Sequence, residues 1–105
     1  MNEKKIYTEQ EAKEYAESVS NTITIRTYDN GSSDDTTRKS TKKEKEILTN
    51  IIFGALLAIK NHKLDGIAVQ AAKDTAEFTA DLMIPHINGY LSVYNKIGDF
   101  VTRYQ

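Results

Sequence analysis

Between residues 22 and 28 the chain alternates strictly: Thr22-Ile23-Thr24-Ile25-Arg26-Thr27-Tyr28. Period two with β-branched residues predicts a strand. Asp29-Asn30-Gly31-Ser32 follows. Asn-Gly favours a type I′ hairpin turn, because both central residues need positive φ. A two-residue loop pairs Tyr28 with Ser33, Arg26 with Asp35 and Thr24 with Thr37. Arg26–Asp35 then becomes a cross-strand ion pair worth at most about 1 kcal/mol. Ile23 and Ile25 share the opposite face and should pack on a helix. The return strand, Asp34 to Arg38, is polar and weak, and a flexible loop is its alternative.

The rest of the pattern has helical period. Thr8-x-x-Glu11 is a capping box, followed by Ala12, Tyr15, Ala16 and Val19, and predicts a helix over about 8–19. Thr41-x-x-Glu44 is a second capping box. It opens a helix over about 42–63 with Leu48, Ile52, Ala55, Leu56 and Ile59 on one face. Ile47, Ile51, Phe53 and Leu57 widen that stripe, so this helix belongs at the centre of a core or an interface. Lys63-Leu64-Asp65-Gly66 reads as a loop with Asp65 as a cap. An alanine-rich helix over about 66–83 follows, whose small side chains permit close helix approach. Pro85 ends that helix or opens the next. A last helix is expected over about 86–104, with Ile87, Tyr90, Tyr94, Ile97, Val101 and Tyr104 in a heptad-like seam. Gly89 and Gly98 inside it each cost about 1 kcal/mol relative to Ala, so either something packs close or the helix breaks.

The expected fold is therefore α+β and mostly helical: a short N-terminal helix and a β-hairpin packed on a bundle of three helices. With 105 residues it forms a single domain. Its parts are a charged helix at 1–20, the hairpin at 22–39 and a helical core at 42–104. Residues 1–46 hold 19 of the 29 charged residues, so the first half decorates a core supplied by the second.

Composition narrows the function. A net charge of −1 argues against a nucleic-acid coat and against an acidic DNA mimic. The absence of cysteine excludes a disulfide scaffold, a thiolate zinc site and a cysteine nucleophile. No apolar signal-peptide region follows Met1. The longest apolar run, 51–59, is far short of the roughly 20 residues that span a bilayer. The expected location is the cytoplasm, with no membrane partner. Lysine outnumbers arginine 11 to 3, which suits a low-GC bacterium or one of its mobile elements.

Two features invite a site. Arg38-Lys39-Ser40-Thr41-Lys42-Lys43-Glu44-Lys45 puts five cations in eight residues at a helix start. Free N–H groups and added lysines there suit an anion, so Arg38, Lys39, Lys42 and Lys43 are candidate ligand-binding residues. The alternative is a solvated loop neutralised by Asp34, Asp35, Glu44 and Glu46. The tyrosine seam is the second: a tyrosine buries its ring while its hydroxyl stays wet, which suits an interface. Ile87, Tyr90, Tyr94, Ile97, Val101 and Tyr104 are its candidate residues, unless they cover the monomer's own core.

Other chemistry is weak. Asp29 to Asp35 fails the calcium-loop spacing, since Gly falls third rather than sixth. His62 and His86 have no metal-ligand spacing. Sequence-specific DNA binding through Thr22, Thr24 and Arg26 is opposed by Asp34 and Asp35 on the same hairpin. No phosphate loop, nucleophile elbow or zinc helix motif occurs. The expected function is a small non-enzymatic binding protein of inhibitor, immunity or adaptor type, self-associating, with no catalytic residue, cofactor or metal. The alternative is an anion binder holding a phosphorylated small ligand or a nucleic-acid backbone at 38–45.

Overall fold

The computed structural model describes residues 5–86 and 89–105. The architecture is α+β: four helices and a three-stranded antiparallel sheet. α1 spans Glu9–Val19, β1 Thr22–Asp29, β2 Ser32–Lys39, α2 Lys42–Asn61 and α3 Gly66–Met83. A short β3, Tyr90–Leu91, precedes α4, Val93–Val101, which ends in a 3₁₀ turn at Thr102–Tyr104.

Local chemistry sets these limits. Both capping boxes form, with Thr8 and Thr41 accepting from the Glu11 and Glu44 amides and each carboxylate reaching back. Asp65 caps α3 by accepting from the Ile67 and Ala68 amides. The hairpin turns on Asn30 (φ 48°) and Gly31 (φ 81°), as a type I′ turn requires. Its register is the expected one, Thr24 facing Thr37, Arg26 facing Asp35 and Tyr28 facing Ser33. The return segment is a full strand, exposed at every position.

α2 packs against α1, α3 and α4. Leu48, Ile52, Leu56 and Ile59 of α2 are buried with Ile23, Ile84, Ile97 and Val101. Ile25 lies partly buried against this cluster. Tyr7 is wholly buried, and its hydroxyl donates to the Leu56 carbonyl at 2.6 Å. Burial pushes that hydroxyl up to about 12. The Lys96 ammonium, largely buried, donates to the carbonyls of Val19 and Thr22. It thereby ties α4 to the end of α1 and the start of β1, and burial lowers its pKa.

α2 leaves through a Schellman turn: Leu64 N–H donates to Ile59 and Lys63 N–H to Lys60. Lys63 and Leu64 both adopt positive φ, 53° and 58°. Lys63 thus holds the position usually given to glycine.

The expected single helix over 86–104 is corrected. α3 ends at Met83, and Pro85 does not start a new helix. Tyr90 and Leu91 instead form β3, pairing with Arg26 and Ile25 of β1. Gly89 explains the break. A Cβ there would lie 2.3 Å from the Arg26 carbonyl oxygen, so only glycine lets this backbone approach β1. His86, expected in a first helical turn, lies instead between α3 and β3.

Candidate functional site

The basic run does not form one open cationic site. The Arg38 guanidinium holds Glu44 through two bonds, 2.8 and 2.9 Å. Glu44 also accepts from the Thr41 amide. These bonds, Arg38 foremost, hold the Glu44 carboxyl down at about 2. Arg38 is therefore already engaged, and Thr41 takes one of the first amides of α2. Lys39, Lys42 and Lys43 stand exposed around this closed helix start.

The tyrosine seam divides. Ile97 and Val101 are 0% exposed and belong to the monomer core, so neither is available as an interface residue. Tyr104 packs against Tyr7 and Phe100, centroids 5.1 and 5.2 Å apart. Tyr94 donates to Gln70 at 2.9 Å and carries the Lys73 ammonium 4.4 Å from its ring centroid. The Tyr90 and Tyr28 hydroxyls share a 2.6 Å hydrogen bond. Ile87 lies outside the described residues. The heptad-like spacing thus runs across a strand and a helix and makes no continuous apolar strip.

Two surfaces that the spacing did not single out emerge around α3. On one flank, a cavity of about 510 Å³ is bordered by Arg26, Glu77, Phe78, Asp81, Tyr90 and Tyr94. Its carboxylates are structural. Glu77 Oε1 accepts from the Val93 and Tyr94 amides, capping α4 from a neighbouring helix because Ser92 does not. Asp81 accepts from the Leu91 amide at 2.8 Å. Glu77 Oε2 is buried without a partner. Burial outweighs the two amide bonds and raises the Glu77 carboxyl to about 7, so Oε2 is the place for its proton.

His86 locks the adjoining turn. Its Nδ1 lies 2.9 Å from the Ile84 carbonyl and its Nε2 2.8 Å from the Gly89 carbonyl. Carbonyls only accept, so this geometry favours the doubly protonated, positively charged ring. The Ile84 bond is the main cause of its raised pKa, and Asp81, 3.5 Å away, adds to it. Among the described residues, no group of three or more His, Asp or Glu converges to hold a metal ion.

On the other flank, α2 and α3 enclose an apolar groove of about 700 Å³. Its floor is Gly54, Ala55 and Ala58 from α2 and Ala68, Ala72 and Ala76 from α3. Asp65, the carboxylate at its end, is committed to capping α3. In the wall of the groove Ile67 is 83% exposed; elsewhere on α3, Leu82 is 70%, Met83 52% and Phe78, which borders the cavity beside Glu77, 66% exposed. Burying one such side chain is worth about 1.5–3 kcal/mol, so a partner in the groove that covers Ile67 gains from it. The alanine richness of this helix was the available signal. It did not say which alanines face outward.

Comparison with protein-family models, with curated proteins and with solved structures finds no match to this chain. No helix of the described residues is long and apolar enough to cross a membrane. Function rests on the residues themselves.

Proposed function

We propose that this chain is a small non-enzymatic cytoplasmic binding protein, of inhibitor, immunity or adaptor type, that acts by protein–protein interaction. Its docking surface is the α2–α3 face rather than the tyrosine seam. The observation that carries this reading is the apolar groove between α2 and α3, with the exposed Ile67 in its wall. A groove floored by Gly and Ala suits an apolar helix, whose side chains enter where small residues leave room. The carboxylate in its wall, Asp65, stands at one end, so contact along the rest of the groove strips water from no carboxylate. The anion-binding alternative at 38–45 is the weaker one, because Arg38 is already paired and Thr41 already serves the helix start.

Site-specific photocrosslinking in cells tests the reading. A photoreactive amino acid at Thr75, on the α3 face, is expected to trap a polypeptide. The same group at Lys13, on the exposed face of α1, is expected to trap none. Equal trapping at both positions, or trapping only beside Lys42 and Lys43, overturns the proposal.

A further inference from the structure

The sheet ends on β2. The strand order is β2-β1-β3, so β2 has a neighbour on one side only. Its eight residues are exposed at every position and pair with β1 without a bulge. The turn decides which backbone groups face outward. A two-residue type I′ loop is closed by a hydrogen-bonded pair, here Asp29 and Ser32, and such pairs recur at every second residue. Two bonds fix this phase. The Ser40 amide donates to the Asn21 carbonyl, in step with Ser32, and the Ser92 amide donates to the Thr24 carbonyl on the side away from β2. Asp34, Thr36 and Arg38 therefore turn their backbone groups to β1, while Ser33, Asp35, Thr37 and Lys39 turn theirs to the open edge. Among the described residues, no backbone bond engages the amides of Ser33, Asp35 and Thr37.

An open edge of this length is a template for another strand unless something guards it. β2 contains no proline, and its charges are divided: Asp34 and Asp35 lie in one half, Arg38 and Lys39 in the other. A strand divided in this way repels a parallel copy in register and attracts an antiparallel one.

We infer that β2 is a pairing edge for a second copy of this chain, joined antiparallel to its counterpart about a twofold axis at Thr36 in a six-stranded sheet. This surface is separate from the α2–α3 groove, and the inference does not rest on that reading. Outward residues must oppose outward residues, which leaves two registers that overlap most of the strand. One sets Asp35 directly against Asp35 of the second copy. The other sets Asp34 against Arg38 of the second copy, Lys39 against Ser33, and Thr36 against its own counterpart. Charge selects the second. Arg38 uses three of its five N–H donors on Glu44 and the Lys39 carbonyl, which leaves two for Asp34. The two Asp35 carboxylates become diagonal neighbours, each already held by its own Arg26 through two bonds. Lys39 of the second copy lies on the other diagonal from Asp35.

The pairing supplies about eight backbone hydrogen bonds. A strip of about 24 Å by 10 Å on each copy covers on the order of 500 Å² in total, well under a standard interface. The dimer is therefore weak, dissociating on the order of 100 µM.

Amide hydrogen exchange with disulfide trapping tests this. Between 20 µM and 2 mM, exchange at the Ser33, Asp35 and Thr37 amides should slow about fivefold. The chain has no cysteine of its own. On oxidation Thr36→Cys should cross-link to itself, because residues facing each other in a non-hydrogen-bonded pair lie about 4.5 Å apart, within disulfide reach. Ser33→Cys should not, since its two copies lie about 20 Å apart along the strands. Asp34→Lys, at an exposed site, sets like charge against Arg38. It should keep the wild-type circular dichroism and weaken the dimer at least about tenfold.

Sedimentation velocity that shows only monomer at 2 mM overturns the inference. So does a dimer indifferent to Asp34→Lys, or one whose Ser33, Asp35 and Thr37 amides exchange as fast as in the monomer. Self-cross-linking of Ser33→Cys as fast as that of Thr36→Cys overturns the pairing about Thr36.

Discussion

The two flanks of α3 solve opposite problems. One flank buries charge and uses it: Glu77 and Asp81 hold the backbone of β3 and α4, and His86 clamps the turn between them. The other flank leaves an apolar groove open to solvent, with Ile67 in its wall 83% exposed. An apolar residue in water costs only its own unburied surface, whereas an unpaired buried amide costs about 1–3 kcal/mol. The flank with Glu77 and Asp81 therefore serves stability, and the proposal assigns association to the apolar flank. Substitutions on the two should separate these properties.

The largest effect is expected at Gly89. Gly89→Ala drives a methyl into the Arg26 carbonyl and should cost about 3 kcal/mol, the upper end for overpacking. Urea unfolding reads this loss. The β1–β3 amide bonds should also lose protection from hydrogen exchange. An unchanged midpoint would mean the strands do not approach as described.

Glu77→Ala should cost about 1–3 kcal/mol, because the Val93 and Tyr94 amides lose their acceptor. Glu77→Gln keeps an acceptor and removes the titration, so it should match wild type near pH 5 and exceed it at pH 8. The sign follows from linkage. Glu77 holds its proton to about 7 in the fold against 4.5 unfolded, so its contribution is lost as pH rises from 4.5 through 7. His86 has a raised pKa in the fold, so its contribution is present below 6.5 and lost as pH rises through that raised value. Glu44, held down at about 2, acts oppositely and loses its contribution as pH falls below the ordinary carboxylate range. Thermal unfolding should thus be highest near about pH 5 and fall toward pH 8. A midpoint that rises between pH 5 and 8 would contradict the buried-carboxyl assignment.

A smaller gain is expected where α2 turns into α3. Lys63→Gly relieves a positive φ and should stabilise by about 0.5 kcal/mol, set between the left-handed penalty and the entropy of glycine. Denaturant midpoints measure it, and a loss there would mean the Schellman turn is not as drawn. Least of all should happen at Leu82. Leu82→Gln should leave monomer stability within about 0.5 kcal/mol, since the side chain is 70% exposed and has little packing to lose.

Much of the fold was legible because local chemistry dictated it. The capping boxes at Thr8 and Thr41, the Asp65 cap and the Asn30-Gly31 turn each satisfy backbone groups with neighbours in sequence. The hairpin register followed from its turn alone. The segment after Met83 was not legible in this way. Tyr90, Tyr94, Ile97, Val101 and Tyr104 keep helical spacing on paper, yet Gly89 must sit against β1, a contact made across 63 positions. Pro85 and Gly89 bracket the break, and the two together were its signal.

The candidate site was hidden for a different reason. Periodicity shows that α3 has a wide apolar arc but not which half meets the core. Val69, Ala76 and Ala80 turn inward, leaving Ile67, Phe78 and Leu82 outside. Similarly, Glu77, Asp81 and Lys96 look like surface charges until the backbone groups they serve are in place.

The most direct test is a methyl NMR spectrum of alanine-labelled protein recorded with and without the polypeptide that crosslinks at Thr75. The account predicts shifts on its addition at Ala58, Ala68, Ala71 and Ala72, with Ala12 and Ala16, buried under α1, unmoved. Shifts absent from the α2–α3 alanines, or confined to those of α1, would contradict it.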